Sequence, residues 1–322
     1  MKRILRSTGL WFMMVAVLPL QTNAARLLVP VGKVIGLQLH NDILTVAAYD
    51  DVLGEEARSA GLKIGDEIVE IDGCGVSSAE EVRSALRAAE PPVKLTVRRG
   101  TKLTSVDMMP KQTEDGPKLG VYLRQGISGI GTVTFYDPET GLFGTLGHGV
   151  SDASGSILHM TEGAAYEAAV VSVKRGKPGE PGQLKGSAEG LNTFGELQRN
   201  TPQGVFGTSR YGWPGDRVPT AEYEEIQPGP AQIRCQVDGA DTREYSAEIL
   251  KIYPETRTDG RNFLLKITDT DLLRCTGGIV QGMSGSPILQ NGKLVGAVTH
   301  VLVNDPTRGY GIFIENMLDA AS

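Results

Sequence analysis

Gly277-Gly278-Ile279-Val280-Gln281-Gly282-Met283-Ser284-Gly285-Ser286-Pro287 runs into Ile288-Leu289, the dipeptide Asn291-Gly292 and a second apolar run from Leu294 to Val301. Small residues surround one serine, and β-runs follow it. A hydroxyl on a tight turn of this kind stands exposed. The backbone amides of Gly282 and Ser284 can then point into one small space, which a side chain at Gly282 would obstruct. Gly285 permits the unusual backbone after the serine, and Pro287 starts a strand without needing a ladder donor. Asn-Gly between apolar runs signals a two-residue hairpin, a rigid platform behind the turn. Ser286 is a rival hydroxyl, but its place in the turn reads as structural.

Such a serine becomes a nucleophile only beside a base. The chain has four histidines. His40 lies far upstream, His159 sits in a polar, helical context, and His300 follows the serine. His148 is the best placed. Phe143-Gly144-Thr145-Leu146-Gly147-His148-Gly149-Val150-Ser151-Asp152 ends a β-run with small residues on both sides, which leaves room for an imidazole to face a cleft. A third group is expected to orient the imidazole. Asp269 is favoured, at the end of the run Phe263 to Thr268. Asp152, which alternatively caps a turn, and Asp271, alternatively solvated, are the other candidates. Thr299 and His300 either line a specificity pocket or are buried structural residues.

Working outward, everything from about Gly120 is rich in glycine and short β-runs, including Gly131–Tyr136, Ala168–Val173, Ala247–Tyr253 and Phe263–Thr268. This predicts an antiparallel all-β domain over residues 114–322. The stretches 174–190 and 214–230 read as long surface loops. Residues 27–113 alternate strands with helices. Ile43–Ala48 is a strand and Glu55–Ala60 a short helix before Gly61. Ile68–Ile71 is a half-buried strand ending in the turn Asp72-Gly73. Ser78 with Glu81 forms a capping box that opens a helix with Val82 and Leu86 on one face, and Val93, Leu95 and Val97 alternate as another strand.

The composition is that of a globular protein: 40% hydrophobic, 22% charged, 41 glycines, 17 prolines and a net charge of −6. Scattered basic residues in an acidic chain give no footprint for nucleic acid. Cys74, Cys235 and Cys275 form no C-x-x-C pair, so a zinc or thioredoxin-type site has no support. Either Cys235 pairs with Cys275 or all three are free thiols. Lys2, Arg3 and Arg6 precede the apolar run Leu10–Leu20, and Thr22-Asn23-Ala24 follows, so residues 1–25 read as a signal peptide or an N-terminal membrane anchor of an exported chain.

These motifs carry family resemblances. Gly-Met-Ser-Gly-Ser-Pro resembles the nucleophile motif of chymotrypsin-like peptidases. That resemblance implies a double antiparallel β-barrel, with His148 as base, Ser284 as nucleophile, Asp269 as third member, and Gly282 and Ser284 as oxyanion-hole donors. Ala60-Gly-Leu-Lys-Ile-Gly-Asp-Glu-Ile-Val-Glu-Ile-Asp-Gly73 resembles the core of bacterial PDZ domains. Val34-Ile35-Gly36-Leu37 resembles their carboxylate-binding loop; the alternative is an ordinary edge strand. Together with Thr276-Gly-Gly-Ile-Val-Gln-Gly-Met-Ser-Gly-Ser-Pro287, the chain resembles the SpoIVB peptidases, family S55. The resemblance implies an exported serine endopeptidase of sporulation signalling, lodged between the forespore membranes. It would process its own N-terminal region and cut a membrane-bound regulator of an intramembrane protease, leading to sigma factor activation. It needs no metal or organic cofactor. The rival readings are an HtrA-like quality-control protease and a non-catalytic PDZ adaptor on a protease scaffold.

Overall fold

The computed structural model describes residues 25–152, 155–187, 192–239, 241–254, 256–257 and 259–322. The expected export segment falls almost wholly outside them. No described helix is long and apolar enough to cross a membrane. The β-rich pattern resolves into two closed six-stranded antiparallel barrels. Strand Phe263–Ile267 shows why: its residues alternate buried and half-buried, so one face enters a core.

The first barrel runs Val34–Tyr49, Val121–Tyr136, Leu142–Thr145, Gly204–Ser209, Thr193–Thr201, Glu162–Glu167, and closes back on Val34–Tyr49. Ile35, Leu37, Val133, Phe143 and Phe194 fill it. The second is ordered Gly229–Cys235, Arg243–Ile252, Phe263–Ile267, Asp305–Phe313, Lys293–Leu302, Pro287–Gln290. Ile233, Ile249, Leu265 and Phe313 fill that one. The hairpin at Asn291 and Gly292 forms as expected, with φ of 52° and 76°. Between the barrels, Leu28, Phe135, Phe206, Leu294, Ile312 and Met317 form a shared cluster, to which the C-terminal helix Ile314–Ala321 contributes. Each large apolar side chain buried there contributes about 1.5–3 kcal/mol. An exposed ion pair contributes about 0–1 kcal/mol, so packing holds the barrels as a pair.

The expected assignment of residues 27–113 to one PDZ-like unit is corrected at its start. Val34–Leu39 does not belong to the upstream α/β unit: it pairs with Ile127–Thr132 on one side and with Glu162–Glu167 on the other. The barrel needs this strand to close, and a strand finds partners through space. The α/β unit is therefore inserted into the barrel. The two 16-residue strands Val34–Tyr49 and Val121–Tyr136 run out of the barrel together. Their ladder is interrupted between Leu39 and Leu44, where Gly126 (φ 87°) lies against the Leu39 carbonyl.

Beyond that break, Leu44–Tyr49 adds Glu67–Ile71, Val93–Arg99 and Lys102–Met108 in order. Val93, Leu95 and Val97 are fully buried, as their alternation requires. Helix Ala79–Ala88 buries Val82 and Leu86. Its cap is half of the box expected: Glu81 N–H donates to Ser78 Oγ at 3.2 Å, while the Glu81 carboxylate takes the N–H of Ser77 instead of Ser78. The loop expected over 174–190 contains a strand, Gln183–Ser187, paired with Ala169–Lys174.

Candidate active site

The serine turn is shaped as its residue types require. Gly282 and Gly285 have φ of 98° and 95°, a region that glycine enters without a Cβ penalty. At Gly285 a Cβ would lie 2.0 Å from the Thr132 carbonyl oxygen and 2.5 Å from the Leu146 nitrogen, both backbone atoms. Only glycine fits that crossing, and it presses the serine turn against the histidine loop. Ser286 is fully buried and is no rival to Ser284.

The amides of Gly282 and Ser284 make no backbone hydrogen bond among the described residues, and the carbonyls of their peptide planes are held. Gln281 O accepts Leu184 N–H at 2.8 Å, and Met283 O accepts Ser286 N–H at 2.9 Å. A trans peptide directs N–H opposite to C=O. Anchoring the two carbonyls therefore aims both amides away from those partners and leaves them available to an anion.

One strand of the first barrel fastens this turn. Thr132 N–H donates to Ser284 O at 3.0 Å, Thr132 Oγ1 to Gly282 O at 2.7 Å, and Thr134 Oγ1 to Gly285 O at 2.7 Å. The Thr132 carbonyl in turn accepts Thr145 Oγ1 at 2.6 Å and Leu146 N–H at 3.3 Å. Thr132 thus bridges the serine turn and the loop that carries His148. Sequence reading missed both threonines; in a β-run they look like ordinary strand residues, and only their alternation hinted at a shared face.

Just before the histidine, Gly147 N–H closes on Thr145 O at 2.9 Å around Leu146, a non-glycine residue at φ 69°. Such a three-residue turn with positive φ is rare and strained. It turns the chain so that His148 lines a cavity of about 450 Å3 with Leu37, Leu39, Ile130, Leu146 and His300. His148 Nδ1 lies 2.9 Å from the Gly149 carbonyl oxygen. A carbonyl only accepts, so the neutral ring carries its proton on Nδ1 and leaves Nε2 as acceptor. Burial lowers the His148 pKa below its ordinary 6.5, with the Gly149 bond opposing. His300 packs tilted at 5.4 Å between ring centroids. Burial and the neighbouring His148 bring its pKa down to about 4.

Ser284 Oγ donates to the Thr299 carbonyl at 2.9 Å, one residue before His300. Thr299 itself is buried, its hydroxyl spent on Gly260 O at 2.7 Å. Of that expected pair, only His300 lines the cavity.

Two placements correct the sequence reading. Asp269 is not brought to His148. It caps helix Thr270–Thr276, accepting Asp271 N–H at 3.0 Å and Leu272 N–H at 2.9 Å. It lines a different cavity, with Arg243, Tyr245 and Cys275. An aspartate after a strand is as good a helix cap as a catalytic acid, and the cap is the local solution. The alternatives fare no better. Asp271 pairs with Arg274 at the surface, and Asp152 closes its own turn onto Ser156 N–H at 3.2 Å. Among the described residues no carboxylate is hydrogen-bonded to the imidazole. The second correction concerns Val34, Ile35, Gly36 and Leu37. Ile35, Gly36 and Leu37 are paired on both edges, and Val34 N–H donates to Gln236 Oε1 at 2.9 Å. No edge is open there for an added strand.

The serine turn and the histidine loop meet at one seam between the two barrels, with Gly285 pressed on Thr132 and Leu146, and a serine endopeptidase on a double-barrel scaffold is the class of this chain's family. That family follows from the chain itself. The family model described as SpoIVB peptidase S55 matches residues 115–318, and the chain belongs to that family. A protein named as a zinc metalloprotease, Atu1380 of Agrobacterium fabrum, is 35% identical over 98 residues, 30% of this chain and 25% of that protein. The chain thus spans a quarter of that relative's length. Among solved structures, the Rv3671c protease in its inactive form is 14% identical, with a TM-score of 0.34 over 60% of this chain and 82% of that chain. A serine-to-alanine mutant of Rv3671c, from M. tuberculosis H37Rv, is 15% identical with a TM-score of 0.33 over 61% and 82%. Likeness at that level adds nothing to the assignment.

Proposed function

We propose that Ser284 is the nucleophile, His148 the general base, and the Gly282 and Ser284 amides the oxyanion donors of an exported peptidase. Its role is sporulation signalling, through limited cleavage of its own N-terminal region and of a membrane-bound regulator of an intramembrane protease. The observation that carries the site is the pair of amides aimed by their anchored peptide planes beside Ser284. Redirecting the hydroxyl from Thr299 O takes rotation about one side-chain bond. His148 Nε2 then accepts its proton as Ser284 attacks the scissile carbonyl, and water hydrolyses the acyl-enzyme. The signalling role rests on family membership together with the charged, then apolar N-terminal segment. Its test is N-terminal sequencing of the full chain and its regulator after incubation, beside Ser284→Ala. One or two defined cuts that vanish in the variant are expected, whereas broad degradation of unfolded proteins supports a quality-control enzyme.

The PDZ-like insertion captures, in this reading, a hydrophobic C-terminus. What supports it is a groove of about 390 Å3 between helix Ala79–Ala88 and Val121–Leu123. Val82, Leu86, Leu119, Val121 and Leu123 line it together with Asp50 and with Arg83 and Lys118, which are paired with Glu80 and Asp115. Gly120, at φ 72° in the turn entering that strand, replaces Gly36 as the glycine of the loop.

A further inference from the structure

Among the described residues no carboxylate is hydrogen-bonded to His148, yet its ring is held. We infer that Asn200 is the positioning residue of this active site, setting the His148 tautomer through the Gly149–Val150 peptide; the inference rests on His148 acting as the base.

Asn200 stands near the end of strand Thr193–Thr201 of the first barrel, the barrel that also carries the histidine loop. Its half-buried amide is fully specified by its partners. Oδ1 accepts Val150 N–H at 2.9 Å, while Nδ2 donates to Val150 O at 2.8 Å and to Leu158 O at 2.9 Å. The amide N–H of Val150 only donates and the two carbonyls only accept, so the side-chain amide has one orientation. Val150 N–H and Gly149 O belong to the same planar trans peptide and point in opposite directions. Fixing that N–H on Asn200 therefore fixes the carbonyl that His148 Nδ1–H donates to at 2.9 Å. The order of polarisation is Asn200 Oδ1, peptide plane, imidazole, with each bond strengthening the next. The histidine loop also has no slack over this anchor. A Cβ at Gly149 would lie 2.6 Å from the Thr201 carbonyl oxygen and 2.4 Å from Ile157 Cδ1.

A carboxylate in place of this amide would keep the acceptor for Val150 N–H but turn an oxygen toward two carbonyl oxygens. Asn200→Asp is thus nearly the same shape with the wrong polarity, which separates positioning from space-filling. The experiment uses the full chain, with Asn200→Ala and Asn200→Asp. A fluorophosphonate probe counts competent sites by its end point and reports the rate constant per site by its time course. Imidazole nitrogen NMR reads the neutral His148 tautomer.

Wild type is expected to carry the proton on Nδ1. Both variants are expected to lose about 100-fold in rate per competent site, the scale of an ångström's misplacement. Peptide KM should stay unchanged, and the tautomer should become mixed. A role in folding alone would lower the number of competent sites and leave the rate per site intact. That result, or Asn200→Asp at the wild-type rate, overturns the inference. So does a wild-type ring protonated on Nε2, which needs no variant to fold. Failure of wild type itself to label at Ser284 would instead overturn the nucleophile assignment.

Discussion

Thr132 Oγ1 donates to the Gly282 carbonyl at 2.7 Å across 150 positions of sequence. The same threonine takes up the Ser284 carbonyl through its N–H and receives the Thr145 hydroxyl and the Leu146 amide on its own carbonyl. A strand of one barrel thereby sets the turn of the other, and both halves of the site are referred to one backbone plane.

Thr132→Val keeps the shape and removes the hydroxyl. The Gly282 carbonyl loses a buried partner, which costs about 1–3 kcal/mol of stability. Relaxation of the turn is expected to lower the rate per site by about tenfold, equivalent to about 1.4 kcal/mol in the barrier. Thermal unfolding and probe labelling on the same sample check the two effects separately.

Ser284→Ala removes the attacking group and leaves the turn, whose shape depends on Gly282 and Gly285. Cleavage and labelling are expected to fall by more than about 1,000-fold with unfolding behaviour unchanged. Labelling that persists and moves to Ser286 would contradict the burial of that residue.

The pH profile follows from the imidazoles. The base works neutral, and His148 titrates below 6.5 because burial disfavours its charged form. The rate of labelling is therefore expected to rise with pH, with its inflection below 6.5, and to stay flat above it. Stability has the same sign. His148 is depressed and His300 is lowered to about 4. The unfolded chain thus binds more protons as pH falls below 6.5, and stability declines over that window. Chemical denaturation at pH 5 and pH 7.5 checks this.

Asp269→Ala is predicted to be a stability mutation. Loss of the cap on Thr270–Thr276 costs about 1 kcal/mol, while the rate per competent site stays within about twofold of wild type. Asp269→Asn, an equally good cap, restores the stability. A folded Asp269→Ala protein that fails to label would show that the aspartate reaches the imidazole after all.

Peptide capture is expected at the groove beside helix Ala79–Ala88. Tyr122 is 57% exposed there, so Tyr122→Ala should spare the fold. It should weaken a peptide with a hydrophobic C-terminus by about tenfold in a polarisation titration. Gly36→Asp, inside a strand paired on both sides, should instead unfold the first barrel.

Much of this molecule was legible in its residues alone. The glycines around Ser284, the Asn291-Gly292 and Asp72-Gly73 turns, the helix that follows Ser78 and the buried alternation of Val93, Leu95 and Val97 all follow from preferences acting within a few positions. His148 is proposed as base in the same way, from the small residues on either side of it. The partner of Val34–Leu37, the use of Asp269 as a cap, and the convergence of Thr132 and Asn200 on the site were decided only by the tertiary structure. Alternation states which face of a strand is apolar, but not which strand will lie beside it. An aspartate, threonine or asparagine carries the same hydrogen-bonding groups wherever it sits. Which group each one meets depends on barrel closure, and closure joins segments that are far apart along the chain.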